Sequence, residues 1–578
     1  MANLNVIEAV RFYIMRMIED CGQNIKGFVM DKETASIVSM VYAQSEILQK
    51  EVFLFERIDT IGQKSFKYLS AICFLRPTEE NIEALVRELH EPKYGSYYIY
   101  FSNFVEMNYI KTLSEADEFE CIQVIQEFYA DYLAINRHLY SLNIPMTYQK
   151  NYEWNDIHLR RTVQGLIALL FSLRKQSAII RYQKSSNMAR ILADKLSSTL
   201  MRQADFATSN INDINQTIVL IVDRREDAIS PLLNQWTYQA MVHELIGIKN
   251  NRVSLSQVPG IKKELEEVIM NAEYDEFYTN NLYSNFGEIA TNIKGLMEHF
   301  QEKHKSQSKL ESITDMKAFV ESYPQFKKLS GTVSKHVTII SELSRLVGLY
   351  HLLEVSEVEQ NLICQSDHNG IVQKLKNLIK DDKVRNEDML RLLCLYALRY
   401  ERHSNNELNT LKNEIQKHRR FPEKYIHFIQ ALLDYGGQKF RQADLFNAQT
   451  PMAITRQFIR GLRGVDNVYA QHVPLIKDLL EQLLRSKLKD TLYPSVISKD
   501  QVPLNNRHTT NQQNQLQQQG QQIKPSEIIV YMIGGITYEE SFHIHMMNKQ
   551  NARIILGGSY VHNFSSFIDE VIGGASSN

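Results

Sequence analysis

The chain has 578 residues, 44% hydrophobic and 23% charged, enough apolar material for several domains of ordinary size. Its 65 Lys and Arg against 67 Asp and Glu leave a net charge of −2, which supplies no global field for nucleic acid or an anionic membrane. The five cysteines (Cys21, Cys73, Cys121, Cys364 and Cys394) are odd in number and scattered, with no CxxC. That argues for a reducing compartment and against both a disulfide framework and a zinc site.

Residues 5–20 read as an amphipathic helix, with Val6, Val10, Tyr13, Ile14 and Met17 at helical spacing. Glu8, Arg11, Arg16, Glu19 and Asp20 interrupt the apolar residues, so no signal peptide is expected. Strand-like runs follow at 27–31, 52–58, 69–74 and 96–101, alternating with helical stretches. Thr78 is expected to cap a helix whose first turn carries Glu79 and Glu80. This grammar predicts helices on a mainly parallel sheet, a first α/β domain over 1–135 that ends through a helix at 117–134.

Helical segments at 157–173 and 186–203 lead to 216–223, an apolar run typical of a strand buried on both faces. The apolar stretch 165–173 inside the first of these is about half the ~20 residues a membrane span needs. Ser230 and Pro231 then predict an N-cap and first-turn proline for a helix running through Trp236, Ala240 and Leu245. From 249 to 489 the strand signal nearly vanishes and helical periodicity dominates, as at 388–400 and 473–488. The Asn/Gln-rich tract at 511–522 cannot build a core and is expected to be a loop. Strand-then-helix grammar returns at 528–533, followed by a capping box of Thr537 and Glu540, and at 553–556, followed by a helix at 565–572. Two such units are too few for a separate sheet. The expected second α/β domain is therefore discontinuous, 136–248 with 490–578, and carries a helical third domain at 249–489 as an insertion.

Asp223, Arg224 and Asp227 sit where open α/β sheets place ligand-binding groups. Asp223 and Asp227 are four residues apart, not the two of a phosphatase-type carboxylate pair, so a buried Asp–Arg network fixing the strand-to-helix turn is the preferred reading. The Gly-Gly turns at 534–535 and 557–558 could approach a phosphate, but neither GxGxxG nor GxxxxGK[ST] is present, and a tight strand-to-helix connection is the preferred reading. His543 and His545, at i, i+2 on a helix, project to different faces and make a poor metal pair. The aromatic stretch 94–109 reads as sheet and core rather than a base-stacking platform.

Residues 218–248 (IVLIVDRREDAISPLLNQWTYQAMVHELIGI) resemble the signature of the SM (Sec/Munc, syntaxin-binding) family. Residues 329–347, 354–369, 533–542 and 553–568 resemble its endosomal vacuolar-sorting branch. The resemblance implies α/β plus all-α architecture, a three-domain arch of two open mainly parallel sheets and a large helical insertion. It implies no catalysis, no cofactor and no metal, with Asp223, Arg224, Asp227, Ser230 and Pro231 as a fold signature. The implied function is regulation of vesicle docking and fusion in trans-Golgi and endosomal traffic. The partners would be a syntaxin-type Qa-SNARE and the assembled SNARE complex. The protein would be a cytoplasmic monomer that reaches membranes through those partners. Position by position, Ile110 and Ile125 fall near the pocket for an N-terminal syntaxin peptide. The segment 280–335 matches the part that aligns SNARE helices, with Lys294 and Glu298 on a mixed-charge face, Ile289, Ile293 and Met297 as the apolar stripe, and Pro324 shaping the tip. The tract at 509–523 departs from the family pattern and falls in an expected loop.

Overall fold

The computed structural model describes residues 4–60, 64–204, 217–307, 313–364, 367–446, 472–496 and 525–575, with side chains left undescribed at 203–204, 303–307 and 313–326. The Asn/Gln-rich tract at 509–523 therefore lies outside the described residues.

The first sheet has strand order β2-β1-β3-β4-β5 and is parallel throughout: β1 (Lys26–Met30), β2 (Val52–Arg57), β3 (Phe66–Leu75), β4 (Tyr94–Phe101) and β5 (Ile122–Glu127). Its helices are α1 (Val6–Asp20), α2 (Lys32–Val41), α3 (Gln44–Leu48), α4 (Glu79–His90) and α5 (Met107–Ala116). Local chemistry sets their ends. Asn5 accepts from the amides of Ile7 and Glu8, Asp31 forms a capping box with Thr34, and the Thr78 hydroxyl accepts from the amide of Asn81.

The helix expected at 117–134 is not there. The Asp117 carboxylate accepts from the amides of Cys121 and Ile122 and turns the chain. Ile122, Val124 and Ile125, β-branched on a pleated surface, then run as edge strand β5 against β4.

The second sheet has order β10-β11-β14-β15-β7-β6. Its strands are β6 (Leu133–Asn136), β7 (Leu139–Ser141), β10 (Ile179–Tyr182), β11 (Thr217–Asp223), β14 (Glu527–Ile533) and β15 (Ile554–Gly558), parallel except for the β6–β7 hairpin. A small ribbon of β8 (Tyr148–Gln149) and β9 (Glu153–Trp154) stands apart. β11 and β14, more than 300 residues apart in sequence, pair along seven residues from Thr217↔Glu527 to Asp223↔Ile533. Both are buried at every position, which is why each reads as a continuous apolar run. β6 spans the boundary expected at 135. Helices α6 (Asp156–Ser172) and α7 (Asn187–Ala204) accompany this sheet.

Beyond β11 the expected helix through Trp236 begins later. Ser230–Leu232 is a single 3-10 turn, and α8 (Tyr238–Leu245) starts only after Thr237. The Ser230 hydroxyl donates to Asp227 instead of capping a helix.

The inserted region is not wholly helical, because β12 (Arg252–Ser254) and β13 (Glu267–Ile269) form a short antiparallel ribbon. Strands of three residues carry too little periodicity to read from sequence. Helices fill most of the rest of its described residues. They are α9 (Glu276–Asn281), α10 (Phe286–Gln307), α11 (Ile313–Leu349), α12 (Leu352–Cys364), α13 (His368–Ile379), α14 (Asn386–Arg399), α15 (Leu408–His418), α16 (Glu423–Gly436) and α17 (Leu475–Leu484). After β14 comes α18 (Tyr538–Lys549), opened by the Thr537/Glu540 capping box, and after β15 comes α19 (Phe564–Gly574). All five cysteines are free.

Candidate functional site

The carboxyl end of β11 holds the charge cluster read from the sequence, and every group in it is engaged. Asp223 Oδ1 accepts from Tyr148 Oη at 2.7 Å and from the amide of Arg225, and its Oδ2 accepts from Ser186 Oγ at 2.5 Å. Arg224 is fully buried and donates to Glu540 Oε2 at 2.5 Å, to the carbonyl of Gly535 and to that of Asp227. Asp227 accepts from the amides of Ile229 and Ser230, from Ser230 Oγ at 2.7 Å and from the amide of Leu475. Burial pushes the Asp227 carboxyl up, and Arg224, His472 and the Ser230 donors more than offset it, leaving the group below the usual range. Pro231 is buried in the turn that follows.

Glu226, within the same run of charges, accepts from the amides of Gln442 and Ala443 and ties the helical insertion to this turn. The cluster thus joins three remote parts of the chain.

The glycine turns beside it are filled. A Cβ on Gly534, whose φ is +77°, would lie 2.4 Å from Tyr148 Oη, and one on Gly557 would meet the Tyr140 ring at 2.1 Å. Aromatic side chains occupy the space a phosphate would need. His543 lies 3.7 Å from Glu539, whereas His545 stacks on Tyr283 with centroids 4.4 Å apart, so the two rings serve different contacts. Among the described residues no group of three or more His, Cys, Asp or Glu is placed to hold a metal.

Two surfaces remain. Ile110 on α5 and Ile125 on β5 are both half-buried and pack on one apolar cluster with Ile99 and Leu113. β5 is an edge strand, and in the segments leading into α5 and β5 the apolar side chains of Phe104, Met107 and Phe119 are 49%, 75% and 62% exposed. The second surface is the pair α10 and α11, which pack against each other. Lys294 and Glu298 form an exposed i, i+4 ion pair on α10. Ile289 and Ile293 are buried, but Met297, expected on the same stripe, is 38% exposed. Pro324, expected to disrupt a helix, lies within α11, which runs from Ile313 to Leu349. The structure thus places Ile110 with Ile125 on one face, Lys294 with Glu298 on another, and the Asp223–Pro231 signature in the buried interior.

This combination of two parallel sheets, one of them closed by strands returning after a helical insertion, defines the SM class of protein. The Sec1 family profile matches residues 26–570, and the chain belongs to that family. It is 51% identical over 572 residues to vacuolar protein sorting-associated protein 45 of Rattus norvegicus and of Homo sapiens, covering 98% of this chain and 96% of each relative. The solved SM protein Vps45 in complex with the Qa SNARE Tlg2 superposes with a TM-score of 0.88 at 38% identity, covering 98% of both chains. The Unc18–syntaxin 1 complex from Monosiga brevicollis matches in fold, with a TM-score of 0.79 at 19% identity over 99% of this chain and all of that one. No described helix is long and apolar enough to cross a membrane.

Proposed function

We infer that this chain is a SNARE-binding regulator of vesicle docking and fusion in trans-Golgi and endosomal traffic, binding a syntaxin-type Qa-SNARE and promoting SNARE complex assembly. The observation that carries this reading is its end-to-end likeness to a Vps45 solved with a Qa SNARE. The α5/β5 surface around Ile110 and Ile125 takes an apolar anchor of the syntaxin N-terminal peptide. The α10–α11 pair, with Lys294, Glu298 and Pro324, aligns SNARE helices. The chain works as a three-domain arch, as a cytoplasmic monomer that sits on trans-Golgi and endosomal membranes through its partners. It is a scaffold and not an enzyme, a reading supported by the full engagement of Asp223 and the filled glycine turns. Liposome fusion with a reconstituted endosomal SNARE set tests it. The chain accelerates lipid mixing, and an unchanged rate over a full concentration series would contradict the reading.

A further inference from the structure

α10 and α11 leave the core at a definable point. Among residues with described side chains, none from Lys294 to Glu302 on α10, and none from Lys327 to Lys335 on α11, is buried. The outermost buried residue is Ile293 on one helix and His336 on the other. Ile293 belongs to an apolar cluster with Ile339, Ile340 and Leu343, which holds the helices together but fixes no direction.

His336 is different. It is fully buried between two fixed groups, with Nε2 2.9 Å from Asp275 Oδ2 and Nδ1 2.7 Å from Tyr238 Oη. Asp275 itself caps α9 through the amide of Tyr278 and pairs with Lys335, whose ammonium also donates to the carbonyl of Ile269. The bonds are satisfied together when a neutral imidazole donates from Nε2 to Asp275 and accepts at Nδ1 from the Tyr238 hydroxyl. Three segments thus converge on one ring: α8, which precedes the insertion, and within the insertion the turn into α9 and α11. A fully connected buried polar network selects one arrangement where apolar packing would tolerate several.

The leverage is large. From His336 to Ile313 is about 35 Å of helix at 1.5 Å per residue, so a tilt of ~10° at the ring moves the far end by about 6 Å. We propose that His336, clamped between Asp275 and Tyr238, is the positioning residue at the pivot of the α10–α11 pair, setting its direction and so its engagement of SNARE helices. The consequence for SNAREs rests on the function proposed above. The pivot itself does not.

The test uses the full chain with His336→Leu, which fills the space without bonding, and His336→Gln, which retains part of the bonding. Hydrogen exchange is read across α10 and α11 and, as reference, across both sheets. His336→Leu is expected to raise exchange in α10 and α11 on the order of tenfold, consistent with losing two buried hydrogen bonds, with a smaller rise in His336→Gln and none in the sheets. SNARE assembly is expected to slow severalfold in the Leu variant and recover partly in the Gln variant, with affinity for an N-terminal syntaxin peptide unchanged. Unchanged exchange, equal exchange in the two variants, or a rise spread evenly over the sheets would overturn the pivot. A parent chain that does not promote assembly would instead count against the proposed function, while the exchange measurements still decide the pivot.

Discussion

Removing one side chain of the Arg224–Glu540 pair should unsettle the whole second sheet. Both residues are fully buried, and the 2.5 Å contact spans 316 positions of sequence. Deleting one partner of a buried ion pair typically costs about 3–5 kcal/mol, because the other charge is left in a medium that cannot solvate it. In Glu540→Ala, Arg224 keeps the carbonyls of Gly535 and Asp227, which pulls the cost towards the lower end. The α18 capping box is lost as well, since Glu540 Oε2 accepts from the amide of Thr537 at 2.8 Å, adding ~1 kcal/mol. The expected loss is therefore ~3–5 kcal/mol, read from the urea midpoint and slope of the tryptophan fluorescence transition. Arg224→Met with Glu540→Leu should cost less than the sum of the single changes, because no charge stays buried alone. A Glu540→Ala variant within ~1 kcal/mol of the parent, or strictly additive costs in the double variant, would refute the role assigned to the pair.

Ile125→Arg should abolish docking of an N-terminal syntaxin peptide in titration while leaving circular dichroism unchanged, because an unpaired charge in an apolar anchor site is costly; a folded variant with parental affinity would move the site elsewhere. Glu570, buried against the amide of Thr147, is pushed up to about 8 by burial. Since its folded value lies above the unfolded one, its contribution is fully present below about 4.5 and is lost as pH rises through about 8, so Glu570→Gln should flatten that decline in thermal melts between pH 5 and 9. Pro324→Ala should restore a helical amide within α11, slow exchange there and raise SNARE engagement and fusion rate, since an interior proline costs roughly 3 kcal/mol; equal exchange and fusion would leave Pro324 without a role in the tip.

Much of the fold was legible because its signals are strong. β11 and β14 are apolar at almost every position, so both were legible as strands, 216–223 as one buried on two faces, and their separation pointed to a sheet closed across an insertion. The Thr537/Glu540 capping box was readable for the same reason, since it depends on two residues at a fixed spacing. Segments with mixed signals failed. Residues 117–134 hold apolar residues at intervals that fit a helix, and only Asp117, bonding back to the amides of Cys121 and Ile122, reveals the turn into β5. Ser230-Pro231 looked like a helix start, yet tertiary demand won and the hydroxyl went to Asp227.

The candidate surfaces were legible only in part. Asp223, Arg224 and Asp227 stood out by their place after a strand, but their partners Tyr148 and Ser186 are remote in sequence and carry no local mark, and Glu540 was marked as a capping residue and not as the partner of Arg224. His336 is likewise a lone histidine in a helical pattern, and only the fold brings Asp275 and Tyr238 to it.

The most direct test of the account is calorimetric titration of the full chain with the cytosolic region of an endosomal syntaxin, with and without its N-terminal peptide. The account predicts saturable one-to-one binding, weakened on removal of the peptide and by Ile125→Arg. No heat and no complex with any syntaxin-type Qa-SNARE of the endosomal set, from protein whose circular dichroism shows it folded, would contradict it.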